Sequence, residues 1–431
     1  MQKLLKLLKL GPMILALFLS LAEATVYVEV TGGQVGGIPI AVAGFAGDAA
    51  LGDQITEVLR KDLQGSGQFR TLVAPAGSHA GSLLGLGVEY GVTGRIESQG
   101  SGYLVQFELL DLLKHKSQGS AAAQTPILSM RFEKVSPKKF RALAHHISDL
   151  LFEKLIGVKG IFSTRVAYVN VLGRGANKEY VLEMADQDGY NPKVLYTSNL
   201  PLMSPAWSPD AQKIAFVTFD KNRSAVNVID VRTGKIEKIT QFPGINGAPA
   251  WSPDGKSLAL VLSKDGGPRI YVADLEQKRL SQLTQGPGID TEPRWFPDGR
   301  SLVFTSDRGG KPQIYKINVH TGHTERLTFS GSYNARPSVT PDGKNLVHMH
   351  KSEQGDKFSI AIQNLNTGTL KVLTHSGFDE SPTVAPNGMM VLYGTQEGVL
   401  GAVSIDGRVR LRLPAQAGTV QEPAWAPFNQ F

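Results

Sequence analysis

The chain has no cysteine. That excludes thiol catalysis, zinc–thiolate sites, disulfide staples and an N-terminal lipidated cysteine, so a protein of this size must take its stability from core burial. No uninterrupted apolar run of 18 residues or more occurs after residue 24, which removes any helical membrane span from the body of the chain. The basic residues are scattered, with no block of five or six and no interleaved aromatics, so a nucleic-acid footprint is absent as well. A G-x-S-x-G nucleophile elbow is also missing, and no segment is left over for an α/β-hydrolase domain.

What is present begins with an export signal. Lys3, Lys6 and Lys9 precede the apolar stretch Leu10–Leu21, and Ala22-Glu23-Ala24 supplies small residues where a signal peptidase needs them. Residues 1–24 are read as a signal peptide cleaved after Ala24. Their three lysines and one glutamate leave with it, lowering the formal charge from +7 to +5.

Residues 25–158 read as an N-terminal α/β domain, a mixed sheet with two helices. Val26–Val30 and Ile38–Ala43 have strand patterns, as do Tyr90–Ile96, Tyr103–Leu110 and Ile127–Phe132. Leu51, Ile55, Leu59 and Leu63 recur at steps of four, the spacing of one helical face, and Lys138–Leu155 carries a second such face. Gly157-Val158-Lys159-Gly160 marks the boundary, with two glycines that leave the chain free to redirect.

From residue 161 the pattern changes. A proline recurs at 205, 249, 293, 337, 382 and 423, in steps of 44, 44, 44, 45 and 41 residues. It opens P-A-W-S-P-D at Pro205, P-A-W-S-P-D-G at Pro249 and P-R-W-F-P-D-G at Pro293. Repeats of forty-odd residues with about four short strands each are the signature of propeller blades. Residues 161–431 are therefore expected to form a six-bladed β-propeller. Pro423–Pro427 supplies one innermost strand without followers, and Arg165–Thr197 supplies three strands without an innermost partner, so the two ends complete one blade and leave no free sheet edge. The recurring Trp207, Trp251, Trp295 and Trp425 are expected to pack blade against blade.

Candidate chemistry is sparse. His348 and His350 share one strand face but find no third ligand, and Asp186-Gln187-Asp188-Gly189 starts like a calcium loop yet lacks the later glutamate. No catalytic, cofactor-binding or metal-ligating residue is assigned. Every blade delivers the residues just before its innermost strand to the channel mouth. Here these are Met203-Ser204, Gly247-Ala248, Thr291-Glu292, Ala335-Arg336, Glu380-Ser381 and Gln421-Glu422. Unlike the Pro, Trp and Asp-Gly positions they differ from blade to blade. A mouth of mixed charge and small residues suits a protein loop better than an apolar small molecule. The alternative is an exported propeller hydrolase or lyase with a channel metal, which would need carboxylates and histidine together; the twelve mouth residues include three glutamates and no histidine.

The export signal, the α/β module, the six repeats, and the stretches Asn246–Gly255, Thr291–Gly299, Phe304–Lys316 and Glu422–Pro427 together resemble the TolB family of the Gram-negative Tol-Pal system. The resemblance implies a non-enzymatic periplasmic protein, expected to be monomeric. It implies binding of the lipoprotein Pal across the propeller mouth, at Ser204, Ile245, Asn246, Ala248, Thr291, Glu292, Arg336, Glu380 and Glu422. Ile245 stands where the family often carries a basic residue or histidine. It further implies that the mature N-terminus engages TolA through Thr25, Val26, Tyr27, Val28, Glu29, Val30 and Thr31, ahead of the glycine-rich Gly32–Gly37. Support of outer-membrane integrity and of envelope constriction during cell division is the implied role.

Overall fold

A computed structural model describes residues 27–30, 37–114, 125–220, 223–413 and 417–428. Residues 1–24, and with them the expected signal peptide, lie outside the described residues, as do Thr25, Val26 and Thr31.

Strand β1 (Tyr27–Val30) stands apart from the N-terminal sheet. The sheet is organised around β2 (Ile38–Ala43), whose residues 40–43 are fully buried. After β3 (Ala46–Gly47) come β4 (Phe69–Ala74), β5 (Tyr90–Gln99), β6 (Gly102–Asp111) and β7 (Leu128–Val135). The order is β4-β2-β5-β6-β7, with β2 parallel to both neighbours and β3 paired to β5. A central parallel strand buried on both faces needs a layer on each side. Helix α1 (Ala49–Gly65), with Asp48 accepting the Leu51 N–H at its N-terminus, covers one face. Short α2 (Ala80–Leu84) covers the other, packing Leu83 with Ala41, Ala43, Leu110 and Leu112. Helix α3 (Phe140–Ile156) joins α1 and buries Phe140, Ile147 and Leu151 against Ile40 and Val42. The sequence pattern anticipated α1 and α3 but neither α2 nor β4. Phe-Arg-Thr-Leu-Val-Ala alternates poorly because β4 is an edge strand, and five residues of α2 are too few to show a helical period.

The linker is tethered rather than free. Gly157 takes a left-handed φ of 80° to end α3, and the Asp149 carboxylate then accepts the N–H groups of Phe162 (2.7 Å) and Ser163 (3.1 Å). Gly160 passes so close to Asp149 that a Cβ would lie 2.3 Å from its Oδ1.

Six antiparallel sheets follow. Blades 1 to 5 run within 203–240, 246–282, 290–326, 333–372 and 380–413; blade 6 sets the C-terminal strand Thr419–Trp425 against Arg165–Leu172, closing the ring with the two ends of the propeller sequence. The motif residues hold this frame. In blade 2, Asp254 accepts from Ser252 Oγ (2.5 Å) and the Lys256 N–H (3.0 Å), while Gly255 takes φ 71°. The indole N–H groups of Trp207, Trp251 and Trp295 each donate, at 3.1 Å, to a carbonyl of the preceding blade, those of Ala424, Ala206 and Ala250. Trp425 instead donates to Thr164 Oγ1 at 2.9 Å, tying the linker to the closing strand. Blade 5 alone among the described sheets of the propeller has a fifth strand, because β1 pairs antiparallel with its outer strand Val409–Leu413 from Tyr27↔Arg412 to Val30↔Val409.

Candidate binding mouth of the propeller

Each innermost strand slips register just before its repeated proline, as between Gly247 and Ala250 or Thr291 and Arg294. The cause is a shared conformation. Ser204, Ala248, Glu292, Arg336, Ser381 and Glu422, all immediately preceding that proline, have φ between 44° and 55°. A left-handed pre-proline residue other than glycine or asparagine is disfavoured twice over, by its Cβ and by the proline ring. Six copies persist because the bulge turns each of these residues toward the channel, and such strain concentrates at binding sites.

Two residues earlier four of the six blades carry a buried polar anchor, where the other two have Leu202 and Val420. Asn246 donates to Phe242 O (2.7 Å) and accepts the Phe242 N–H (2.8 Å); Asp290 accepts from Ser306 and Arg308; Asn334 donates to Ser330 O and accepts from His350; Asp379 accepts from Ser376. All four anchors are fully buried. His350 is thereby a structural residue, and burial pushes the neighbouring His348 down to about 4.

At the mouth the charges interlock. Arg336 reaches Glu422 (3.0 Å), Glu292 (3.4 Å) and Glu380 (3.7 Å) and donates to Ser381 Oγ. Burial pulls the guanidinium down, but the three carboxylates outweigh it and hold the group above its ordinary value. Glu380 is pushed up by burial, which Arg336 only partly offsets. Two of the acids also stitch blades together: Glu292 accepts the Arg336 N–H (2.9 Å) and the Thr305 hydroxyl (2.8 Å), and Glu422 accepts the Ser204 N–H (3.1 Å). The guanidinium sits among the carboxylates where a channel metal would have to bind, so the donor set does not favour the metal-hydrolase reading.

Ser204, Ile245, Asn246, Ala248, Thr291, Glu292, Arg336 and Glu422 line one cavity of about 260 Å³; Glu380 adjoins it through Arg336. Asn246 is internal scaffolding there, with no exposed surface to offer. Missing from the expected set are Arg294, which lines the cavity, and, Ile245 apart, a group of exposed apolar residues. Ile245 (48% exposed), Ile289 (47%) and Phe378 (42%) all stand four residues before the repeated proline, and Phe329 (72%) and Phe242 (36%) are exposed in loops that lead into innermost strands. That fixed offset is a readable signal in the sequence, and of these residues Ile245 alone belongs to the expected set. Of the N-terminal positions, Tyr27–Val30 form β1 on the outer edge of blade 5, away from the mouth residues.

The comparisons with known proteins agree with this architecture. The chain matches the TolB amino-terminal domain over residues 26–118 and the TolB beta propeller domain over residues 152–429. It is 56% identical over 425 residues to the Tol-Pal system protein TolB of Legionella pneumophila strain Corby, covering 96% of this chain and 99% of that one. The TolB of Coxiella burnetii is 55% identical over 434 residues, covering 96% of both. Among solved structures, TolB from Acinetobacter baumannii superposes with a TM-score of 0.84 at 40% identity, over 94% of this chain and all of that one. The chain belongs to the TolB family of Tol-Pal system proteins.

Proposed function

We propose that this protein is a non-enzymatic periplasmic adaptor: its propeller mouth binds Pal, its N-terminal segment engages TolA, and the two events support outer-membrane integrity and constriction during division. We divide it into an α/β domain of residues 25–158 and a propeller of residues 161–431. The observation that carries the reading is the mouth itself. Six strained pre-proline residues of four types line one cavity with Ile245, and Ile289, Phe329 and Phe378 are exposed in the loops that lead into the innermost strands. Exposed apolar residues near a polar centre of mixed charge have the composition of a protein-binding surface.

The N-terminal half of the proposal rests on β1. Among the described residues it pairs with blade 5 alone, through a four-residue register, and the sequence that follows, Gly32–Gly37, has the glycine content that a segment able to detach and re-dock calls for. If docked and released states of this strand favour different partners, the two bindings are coupled, and the coupling is reciprocal.

Titration calorimetry with the soluble domain of Pal and the C-terminal domain of TolA tests both halves. Ile245→Asp is expected to weaken Pal binding at least tenfold and leave TolA binding unchanged. Deletion of residues 25–36 is expected to abolish TolA binding and shift Pal affinity. Full Pal affinity in Ile245→Asp would refute the mouth assignment, and two unchanged affinities in the deletion would refute the coupling.

A further inference from the structure

The strongest feature outside the mouth lies on the seam between the domains. There α3 of the N-terminal domain faces the Asp186–Tyr190 turn of blade 6. Arg141 donates to Asp188 Oδ2, lies 3.9 Å from Asp186, and stacks 3.8 Å over the Tyr190 ring. One helical turn on, His145 is 2% exposed. Its Nδ1 is 2.8 Å from Asp62 Oδ2 of α1, and its Nε2 makes no hydrogen bond but faces Asp188 Oδ2 at 3.7 Å. Asp62 and His145 belong to one domain and Asp188 to the other. Their grouping does not make a cation site, because the carboxylates lie against opposite nitrogens of the ring and Arg141 already supplies a cation to Asp188.

We propose that Arg141 and His145, closing on Asp186 and Asp188, form a proton-dependent latch between the two domains, engaged while His145 carries a proton on both ring nitrogens.

The geometry demands that second proton. Nδ1 must donate to Asp62. A neutral ring, itself buried, would then present the Nε2 lone pair to the Asp188 carboxylate, whereas an imidazolium turns the same approach into attraction. The groups facing His145 are known on every side. From α1 comes Asp62, with Lys61 further out on the cavity rim. From α3 come Arg141, which opposes the charge, and Asp149 a turn beyond; from blade 6 come Asp186 and Asp188. Carboxylates outnumber cations here, and burial holds Asp149 and Asp186 above their ordinary values. Burial alone would lower His145, but the Asp62 charge and hydrogen bond, aided by Asp188, push it up to about 9.

The latch matters because the seam is not continuously packed. Beside it lies a cavity of about 80 Å³ bounded by Phe152, Phe162, Met390, Leu411 and Trp425. Among the described residues Asn387 Nδ2 also donates to Lys159 O, at 3.1 Å. A group whose value is raised on folding stabilises fully below its ordinary 6.5 and loses that contribution as pH rises through about 9. The share of the interdomain coupling that His145 supplies is therefore full near pH 6.5 and lost near pH 10, while the Arg141 contacts keep their charge.

Calorimetric unfolding of the full chain, with NMR of ¹³C-labelled histidine, tests this. The wild type is expected to unfold in one coupled transition at pH 6.5 and in two at pH 10. Asp188→Asn, a change on the propeller turn that leaves the N-terminal core untouched, is expected to give two transitions at both pH values and to lower the proton affinity of His145 about tenfold. The His145→Gln spectrum identifies which of the nine histidine signals is His145. A His145 signal titrating near 6.5, or a single transition in Asp188→Asn at pH 6.5, overturns the latch. A rise in melting temperature with zinc that Asp188→Asn removes would overturn it in favour of a metal site.

Discussion

Replacing Arg336 by glutamine would leave Glu292, Glu380 and Glu422 facing one another across the propeller mouth without their ion-pair partner, with Arg294 of the same cavity the remaining nearby cation. The guanidinium approaches them at 3.4, 3.7 and 3.0 Å, and the four side chains are a quarter or less exposed, Glu292 marginally more. At an effective dielectric of about 20, each contact is worth roughly 5 kcal/mol before desolvation. Most of that gross attraction is cancelled by the cost of taking the ions out of water, so the net loss on removing the shared partner should fall near ~3–5 kcal/mol at pH 7.5. The loss must also depend on pH. Burial already pushes Glu380 up, and without Arg336 nothing on that side offsets it, so Glu380 favours the folded state only when protonated. The variant's deficit relative to wild type should therefore shrink as pH falls from 7.5 to 5. Urea denaturation of both proteins at the two pH values reads this directly, with Arg336→Lys as a control that keeps the charge but loses the fork. A deficit under about 1 kcal/mol, or one equal at both pH values, would refute the reasoning. Because Arg336 is bound up in the mouth's own stability, a loss of partner binding in this variant would say little about contact with the partner; Ile245 is the cleaner probe.

Two further substitutions test the frame. Ala248→Gly should be neutral or raise stability by up to about 1 kcal/mol, whereas Ala248→Val should lower it by about 2 kcal/mol or more, since φ is 44° there; a strand residue of ordinary conformation would show the reverse order. Gly160→Ala should cost about 2 kcal/mol or more by driving Asp149 off the Phe162 and Ser163 amides, and Gly157→Ala only about 1, because open space surrounds Gly157; equal thermal shifts for the two would show that the linker is not pinned at Asp149.

What the sequence disclosed and what it hid divide along a physical line. Contacts that recur once per blade leave a period, so the turn aspartates, the indole donors and the two-ended closure of blade 6 were all legible from spacing alone. The buried Asn246, Asp290, Asn334 and Asp379 were equally periodic, and reading them beside the proline would have separated anchors from binding residues; Asn246 was assigned to the surface for want of that comparison. Backbone conformation leaves no such mark. Serine, alanine, glutamate and arginine share one left-handed geometry before proline, because the geometry is imposed by ring closure around the channel and not by the residue's own preference. The interdomain cluster was the least visible of all. Asp62, Arg141, His145 and Asp188 are scattered over more than a hundred residues and occur once each, and Asp186-Gln187-Asp188-Gly189 by itself reads as turn chemistry. It does turn the chain, with the Gly189 N–H bonded to Asp186 O, yet it also presents Asp186 and Asp188 to a helix from the other domain. A residue can satisfy its local rule and still be held for a distant partner, so local sufficiency is no argument against a second role.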